Sequence, residues 1–283
     1  SVWQQVTVSD GEGPDVVGGH YLPKQAVHPH HDDDGNLIFD GRWDYVWDAE
    51  NRLVSMTTNL DAQALGEPFR KLVFDYDWLG RRLRKRVFDS PSATDPVEDF
   101  RFAYDGWNLV AEYSADGSSL TLLRAYVWGS DLSGTPQGAG GVGGLLSARA
   151  GGAEYAASYD GNGNIVGWID AGGNLACRQE YDPFGSLIAR EGSVEIPVGF
   201  SSKYRDRETG LIYYIFRYHD PVTGRWRSRD PIEEEGGLNL YAFANNQSLT
   251  KIVRLGAIPL NIKLASYYLL RAEMSLIPSL GPL

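Results

Sequence analysis

The chain has 283 residues, with 26 lysines and arginines against 37 aspartates and glutamates, a formal net charge of −11. That balance argues against a general nucleic-acid or anionic-membrane binder, while the length suits one large all-β domain or two ordinary ones with a substantial core. The single cysteine, Cys177, excludes an intrachain disulfide and a thiolate-ligated zinc site, and reads as a small apolar filler in a strand.

Residues 1–31 are weakly patterned. Ser1 starts inside the pattern, with neither a charged n-region nor an apolar h-region. The expectation is therefore a stretch of a longer chain in which no signal peptide is visible. No apolar run approaches a membrane span. His28, His30 and His31 precede Asp32-Asp33-Asp34-Gly35-Asn36, which resembles the start of a calcium loop. The distal bidentate glutamate is missing and no helical period flanks it. The same shape recurs at Asp160–Asn164 and, more loosely, at Asp170–Asn174, so a repeated turn is expected rather than a metal site. No cofactor is expected.

From Asp40 an internal repeat appears, the sign of a stacked architecture. Each copy is an aromatic residue and Asp, a Gly or polar turn, then an apolar strand. The copies are Trp47-Asp48 with Leu53, Tyr76-Asp77 with Gly80 and Leu83, Tyr104-Asp105 with Leu109, Tyr159-Asp160 with Gly163 and Ile165, and Tyr181-Asp182 with Gly185 and Leu187. Tyr218-His219-Asp220 with Gly224 is a variant. The ring is expected to end a strand and pack on its equivalent one unit away. The Asp accepts backbone N–H bonds and Gly supplies the positive φ. One unit cannot bury its own face, so neighbours must stack.

Arg81 to Arg86 alternates around Leu83 and is expected to form the wet face of a strand. Pro91–Asp99 reads as a polar hairpin loop. Gly138–Gly144 has neither a Walker lysine nor G-x-G-x-x-G spacing, and reads as a flexible loop between sheets. From Phe200, Ile212 to Tyr218 form a dense aromatic and β-branched run suited to a strand. Asp220–Gly224 is turn chemistry and Arg225–Arg227 a short second strand, giving a hairpin. Glu233 to Glu235 read as a solvated face, and Leu238–Phe243 as a last aromatic strand. In the tail, Leu260, Leu264, Tyr267, Tyr268 and Arg271 give a partial helical period, predicting a helix from about Asn261 to Ser275.

Tyr76–Gly80, Tyr159–Gly163 and Tyr181–Gly185 fit a Y-D-x-x-G signature. Gly210–Trp226 and Arg229-Asp230-Pro231-Ile232, followed by Gly236–Tyr241, look like the core-associated segment of Rhs/YD-repeat proteins. Arg101–Val110 with Ala125–Gly134 is similar to their linking segment. The resemblance covers roughly residues 32–246. It implies an all-β fold of stacked antiparallel β-hairpins, part of a YD-repeat spiral shell, with a short helical C-terminal tail. Its divisions would be 1–31, a shell region 32–199, a core-associated closing segment 200–256 and a variable tail 257–283.

Such shells enclose a C-terminal effector, commonly a toxin. In many members the closing segment is also an aspartic self-protease. Arg229-Asp230-Pro231 matches the first Asp motif, with Arg229 helping to set the protonation state of Asp230. Ile252–Gly256 is the best match to the second motif, which places the cleavage junction at Gly256–Ala257. Val253 stands where the second Asp is expected, so a two-carboxylate mechanism through that position is absent. Asp220 or Asp206 would substitute only if the fold brought one beside Asp230. The resemblance thus implies a cleavage-impaired chain in which Val253→Asp, with a full downstream domain, restores cutting after Gly256.

Expected partners are the chain's own upstream shell repeats and C-terminal effector, an immunity protein and a secretion-system component. The expected location is secreted or at the bacterial cell surface. Two other readings compete. One is an active aspartic autopeptidase releasing the tail. The other is an adhesin-like module binding carbohydrate through Trp43, Trp47, Trp107 and Trp168. Ordinary hydrolase chemistry lacks both the G-x-S-x-G elbow and H-E-x-x-H.

Overall fold

A computed structural model describes residues 27–257, together with the backbone strands β1 (Trp3–Val8), β2 (Val16–Tyr21) and β22 (Pro259–Asn261). The helix expected from Asn261 to Ser275 lies outside the described residues.

Among the described residues the chain is nearly all β, and fourteen antiparallel strands follow one another in chain order in one sheet. They are β3 (His30–His31), β4 (Leu37–Phe39), β5 (Trp43–Trp47), β6 (Leu53–Thr58), β7 (Lys71–Tyr76), β8 (Arg82–Phe88) and β9 (Glu98–Asp105). Then come β10 (Asn108–Asp116), β11 (Ser119–Trp128), β12 (Leu145–Ala150), β13 (Ala153–Tyr159), β14 (Ile165–Asp170), β15 (Leu175–Tyr181) and β16 (Leu187–Gly192). A short helix, α1 (Leu60–Ala64), interrupts them, N-capped by Asn59, whose side chain accepts from the Asp61 N–H. Among the described residues no helix is long and apolar enough to cross a membrane.

The chain divides into two compact units. The first takes residues up to Asp77 together with Arg82–Phe100, and its core includes Leu53, Met56, Leu72 and Phe74. The second takes Trp78–Arg81 with the residues from Arg101 on, and its core includes Leu145, Ile165, Trp168 and Tyr214.

The repeat has a defined local geometry. Asp160 Oδ1 accepts the N–H groups of Asn162 and Asn164 at 2.9 and 3.0 Å, and Gly163, at φ +76°, closes the turn onto the Asp160 carbonyl. Asp182 does the same with Phe184, Ser186 and Gly185, and Asp170 with Gly172, Asn174 and Gly173. The backbone N–H and side-chain amide of Asn174 hold the Asp170 carboxyl below its ordinary range. Asp32–Asn36 is another such turn, its carboxylate holding the N–H and amide of Asn36.

The repeat aromatics do more than fill space. Trp47 donates Nε1–H to the Leu37 carbonyl, and Tyr76 donates its hydroxyl to Leu53. Trp128 Nε1–H reaches Leu109, and the Tyr159 hydroxyl reaches Leu145. Each brace runs from the end of one strand to a carbonyl at or beside the start of an earlier one, so a half-buried polar tip and a backbone acceptor satisfy each other.

Three readings of the sequence are corrected. Arg81–Arg86 is not a basic wet face about Leu83. In β8, Arg82 and Lys85 are buried and Leu83 is exposed. Arg82 lies over the Phe74 ring and Lys85 over Phe100, so aromatic faces and the long apolar stems accommodate the cations. The run from Ile212 to Tyr218 is not one strand. β18 (Ile212–Tyr213) folds back onto β19 (Tyr218–Asp220) through a turn at Tyr214–Arg217. Leu238–Phe243 is not a strand either: an isolated bridge joins Ala242 to Arg225, and Phe243–Asn246 is a 3₁₀ turn. The hairpin expected about Asp220–Gly224 is present, with β20 (Arg225–Trp226) pairing β19.

Candidate functional site

β17 (Tyr204–Arg205), β18, β19 and β20 form a small antiparallel sheet of their own. Ile212 and Trp226 of this sheet pack with Phe200, Tyr214, Phe243 and Val253 in a largely aromatic cluster. The Tyr214 ring meets Trp226 edge-on at 5.1 Å, and His219 stacks on Phe243 at 4.1 Å. Such rings contribute beyond the area they bury. Val253 is 1% exposed within this cluster.

The closing segment docks on the repeat turns. Asn164 accepts the Ser201 N–H at 2.7 Å, and the Ser202 hydroxyl bridges the Gly163 carbonyl and the Gly143 N–H. The Gly138–Gly144 loop is packed rather than open. Asp131 Oδ2 accepts the N–H groups of Ala139 and Gly141 at 2.7 and 2.9 Å. Lys203 Nζ donates to the Gly140 carbonyl, and burial pulls its ammonium down to about 8. Ala139 and Val142 pack with Ile252. The loop is therefore the seat of the segment that follows Asn246.

That segment, β21 (Lys251–Val253), turns at Leu255 and Gly256, whose φ values are +53° and +81°. The Ala257 N–H closes the turn onto the Arg254 carbonyl at 3.1 Å. Two consecutive positive φ values are the pattern of a type I′ hairpin turn. Beside it, Phe216 N–H donates back to Tyr214 across Ile215, which has φ +72°. For a β-branched residue this is a strained conformation. A Cβ on Gly256 would lie 3.1 Å from Tyr214 Cβ and 3.2 Å from the Arg217 nitrogen. Gly256→Ala is expected to lower stability by about 1–3 kcal/mol through the positive φ and this crowding, read from the urea midpoint.

Arg217 joins the two halves of the site. Its Nη2 pairs with Asp230 Oδ2 at 2.7 Å, with both side chains buried. Nε donates to the Gly256 carbonyl, Nη1 to Leu240 at 3.2 Å and Nη2 to Ala257 at 3.4 Å. The guanidinium lies 4.2 Å from the Trp226 ring centroid. Burial pulls it down to about 10, against the pull of Asp230 in the other direction. It remains a cation at neutral pH. The other oxygen of Asp230 accepts the Ile232 N–H at 3.1 Å.

The structure thus gathers Asp230, Gly256 and Ala257 around one guanidinium. Arg229 is exposed, and the cation paired with Asp230 is Arg217. The Asp220 carboxylate is occupied by Val222 N–H, Thr223 and Arg227. Asp206 closes a turn through its backbone with Gly210 and Leu211. Of the remaining repeat residues, Tyr104 lies under the Arg81 guanidinium, and the Asp105 carbonyl accepts from Gln137. Burial raises the Tyr181 hydroxyl far above its ordinary range, and the ring meets Phe200 edge-on. Gly80 carries φ +81° and its carbonyl accepts the Tyr213 hydroxyl at 3.2 Å. Gly185 carries φ +93° and Gly224 carries φ +66°.

No family model matches the chain. It is 27% identical over 261 residues to the tRNA3(Ser)-specific nuclease WapA of Bacillus spizizenii, covering 87% of this chain and 10% of that protein. It is 30% identical over 262 residues to the toxin protein Tse5 of Pseudomonas aeruginosa, covering 83% of this chain and 19% of Tse5. Among solved structures, the TcdB2-TccC3 crystal structure matches with a TM-score of 0.59 at 21% identity, over 79% of this chain and 11% of that one. That likeness is one of fold. This chain spans only a small part of each of these proteins. The YD turns, the closing segment, the toxin relatives and the shared fold converge: the chain belongs to the Rhs/YD-repeat proteins, as C-terminal shell with its core-associated segment.

Proposed function

We propose that this chain is the closing wall of an Rhs-type shell that encloses and delivers a downstream effector, with its self-cleavage junction held uncut. The supporting observation is the Arg217 clamp. It ties the carboxylate of Asp230 to the carbonyls on both sides of the Gly256–Ala257 junction, while Val253 supplies no second acid. An aspartic pair activates water only when one carboxyl is ionised and its partner protonated. Asp230 alone, paired with a buried cation, provides one of the two. The expected partners are then the upstream repeats and the effector, with an immunity protein and a secretion apparatus acting on the assembled, exported protein.

The intact masses of the purified chain and of Asp230→Asn test this. Full-length mass is expected in both. Loss of Ala257–Leu283 from the unsubstituted chain alone overturns the silent junction and puts the active autopeptidase in its place. In a chain carrying a complete downstream domain, Val253→Asp is expected to restore cutting after Gly256. Its carboxyl would lie in the cluster that contains Trp226, where burial favours the protonated form.

A further inference from the structure

β15, β16, β17 and β18 line a cavity of about 340 Å³, together with the residues that lead from β16 into β17. Its volume is at the small end of ligand pockets, which run from about 300 to 1,000 Å³. Buried Ile196, Val198, Phe200 and Ile212 give it an apolar wall. Its charged lining is Arg190, Lys203, Arg205 and Arg207 against Glu195, four bases to one acid. The chain as a whole carries a net charge of −11, so this concentration of positive charge runs against the composition. Apolar walls around charges of one sign focus their field on a ligand of the opposite sign. None of the lining residues belongs to the Arg217 clamp.

Two of these cations face only backbone acceptors. Among the described residues, Arg190 donates to the Val194 carbonyl and Arg205 to the Gly185 carbonyl at 3.4 Å, and neither has a carboxylate within ion-pair distance. Arg205 is half-buried, and burial pulls its guanidinium below its ordinary range, against Tyr181, Asp182 and Asp220. Lys203 and Arg207 are already engaged, by the Gly140 carbonyl and by Glu208 at 3.7 Å. The wall also holds a neutral donor. Gln179 is 8% exposed, and its side-chain nitrogen is buried with no hydrogen-bond partner among the described residues. Buried donors call for acceptors, and a guanidinium fork matches a carboxylate better than any other side-chain cation does. We propose that this cavity binds a small organic acid, one carboxylate on a compact apolar body, with Arg190 and Arg205 taking the carboxylate and Ile196, Val198 and Ile212 covering the body.

Calorimetric titration of the full chain with naphthylacetate tests this, with naphthylacetamide as the uncharged control. The acid is expected to bind at least about tenfold more tightly than the amide, the difference that hydrogen bonds to a charged group make. Arg190→Gln and Arg205→Gln are each expected to weaken the acid at least about tenfold and to leave the amide unchanged. Arg190 is an exposed residue of β16, so its replacement reads the site even where Arg205→Gln lowers stability. Urea midpoints separate the two effects. Equal affinities for acid and amide would overturn the assignment, leaving an apolar cleft. An acid affinity unmoved by Arg190→Gln and by folded Arg205→Gln would also overturn it, as would no binding of the acid at millimolar concentration. Inorganic phosphate binding as tightly as naphthylacetate would overturn the organic acid in favour of a bare oxyanion. The intact mass of the chain does not enter any of these outcomes, so the silent junction stands or falls separately.

Discussion

Arg217→Leu is expected to destabilise the chain by about 3–5 kcal/mol, because it leaves Asp230 buried and without its cation. Asp230 is 8% exposed and, among the described residues, keeps the Ile232 N–H on its other oxygen. The loss also frees the carbonyls of Leu240, Gly256 and Ala257, which the same guanidinium holds. Lysine at 217 is expected to rescue little of this, since an ammonium cannot present a fixed fork to four oxygens. The double substitution Arg217→Leu with Asp230→Leu is expected to cost about 1–3 kcal/mol less than Arg217→Leu alone, because no carboxylate is then left buried without a cation. Urea midpoints of the four proteins check this. A single Arg217→Leu within about 1 kcal/mol of the unsubstituted chain would mean that the clamp carries no structural weight.

The second large effect is acid sensitivity centred on His219. The ring is fully buried and its Nε2 lies 2.8 Å from the Phe184 carbonyl, so Nε2 carries the proton of a neutral imidazole. Burial pulls its pKa down to about 4, against the Phe184 carbonyl and the Asp220 carboxylate, which pull it up. An unfolded histidine titrates near 6.5. Between about pH 6.5 and 4 the unfolded chain therefore binds a proton that the folded chain refuses. The stabilisation is complete above pH 6.5 and is lost as the pH falls toward 4, by about 3 kcal/mol in all. Below pH 4 this contribution stays constant. Stability curves from pH 7.5 to 4 for the unsubstituted chain and for His219→Phe should diverge, with the variant losing the histidine slope. Parallel curves would assign the acid response to other groups.

What was legible in the sequence was whatever is local. Each YD turn spends its information within five residues, so Asp160, Gly163 and Asn164 could be read as a turn, and Asp182 with Gly185 likewise. The aromatic run before Asp220 was legible as β, yet its reversal was not. Nothing in Tyr214–Arg217 resembles a turn, and the reversal rests on a strained Ile215 followed by Phe216, whose N–H donates to the carbonyls of Tyr214 and Leu255. The basic run at Arg82–Lys85 was misread because alternation assumes one wet face, and here aromatic rings accept cations on the buried one. The site divides in the same way. Asp230 and Gly256 were visible as motif positions. Arg217 was not, because its partners lie 13 and 39 residues away. Lys203 was hidden for the same reason, with its Gly140 acceptor 63 residues away.

The braces from repeat aromatics to earlier strand starts span 10 to 23 residues. The contacts that seat the closing segment span far more: 63 residues from Lys203 to Gly140, 92 from Tyr204 to Glu112 and 133 from Tyr213 to Gly80. Short loops close at lower entropic cost and form first. The hairpins can therefore zip one onto the next as the chain emerges, four of them held by an aromatic tip, and the closing segment is the last piece to find its place. Assembly runs in one direction, wall before latch. A defect in the latch should then leave nascent hairpins intact and show itself as faster opening of the finished chain rather than as slower folding.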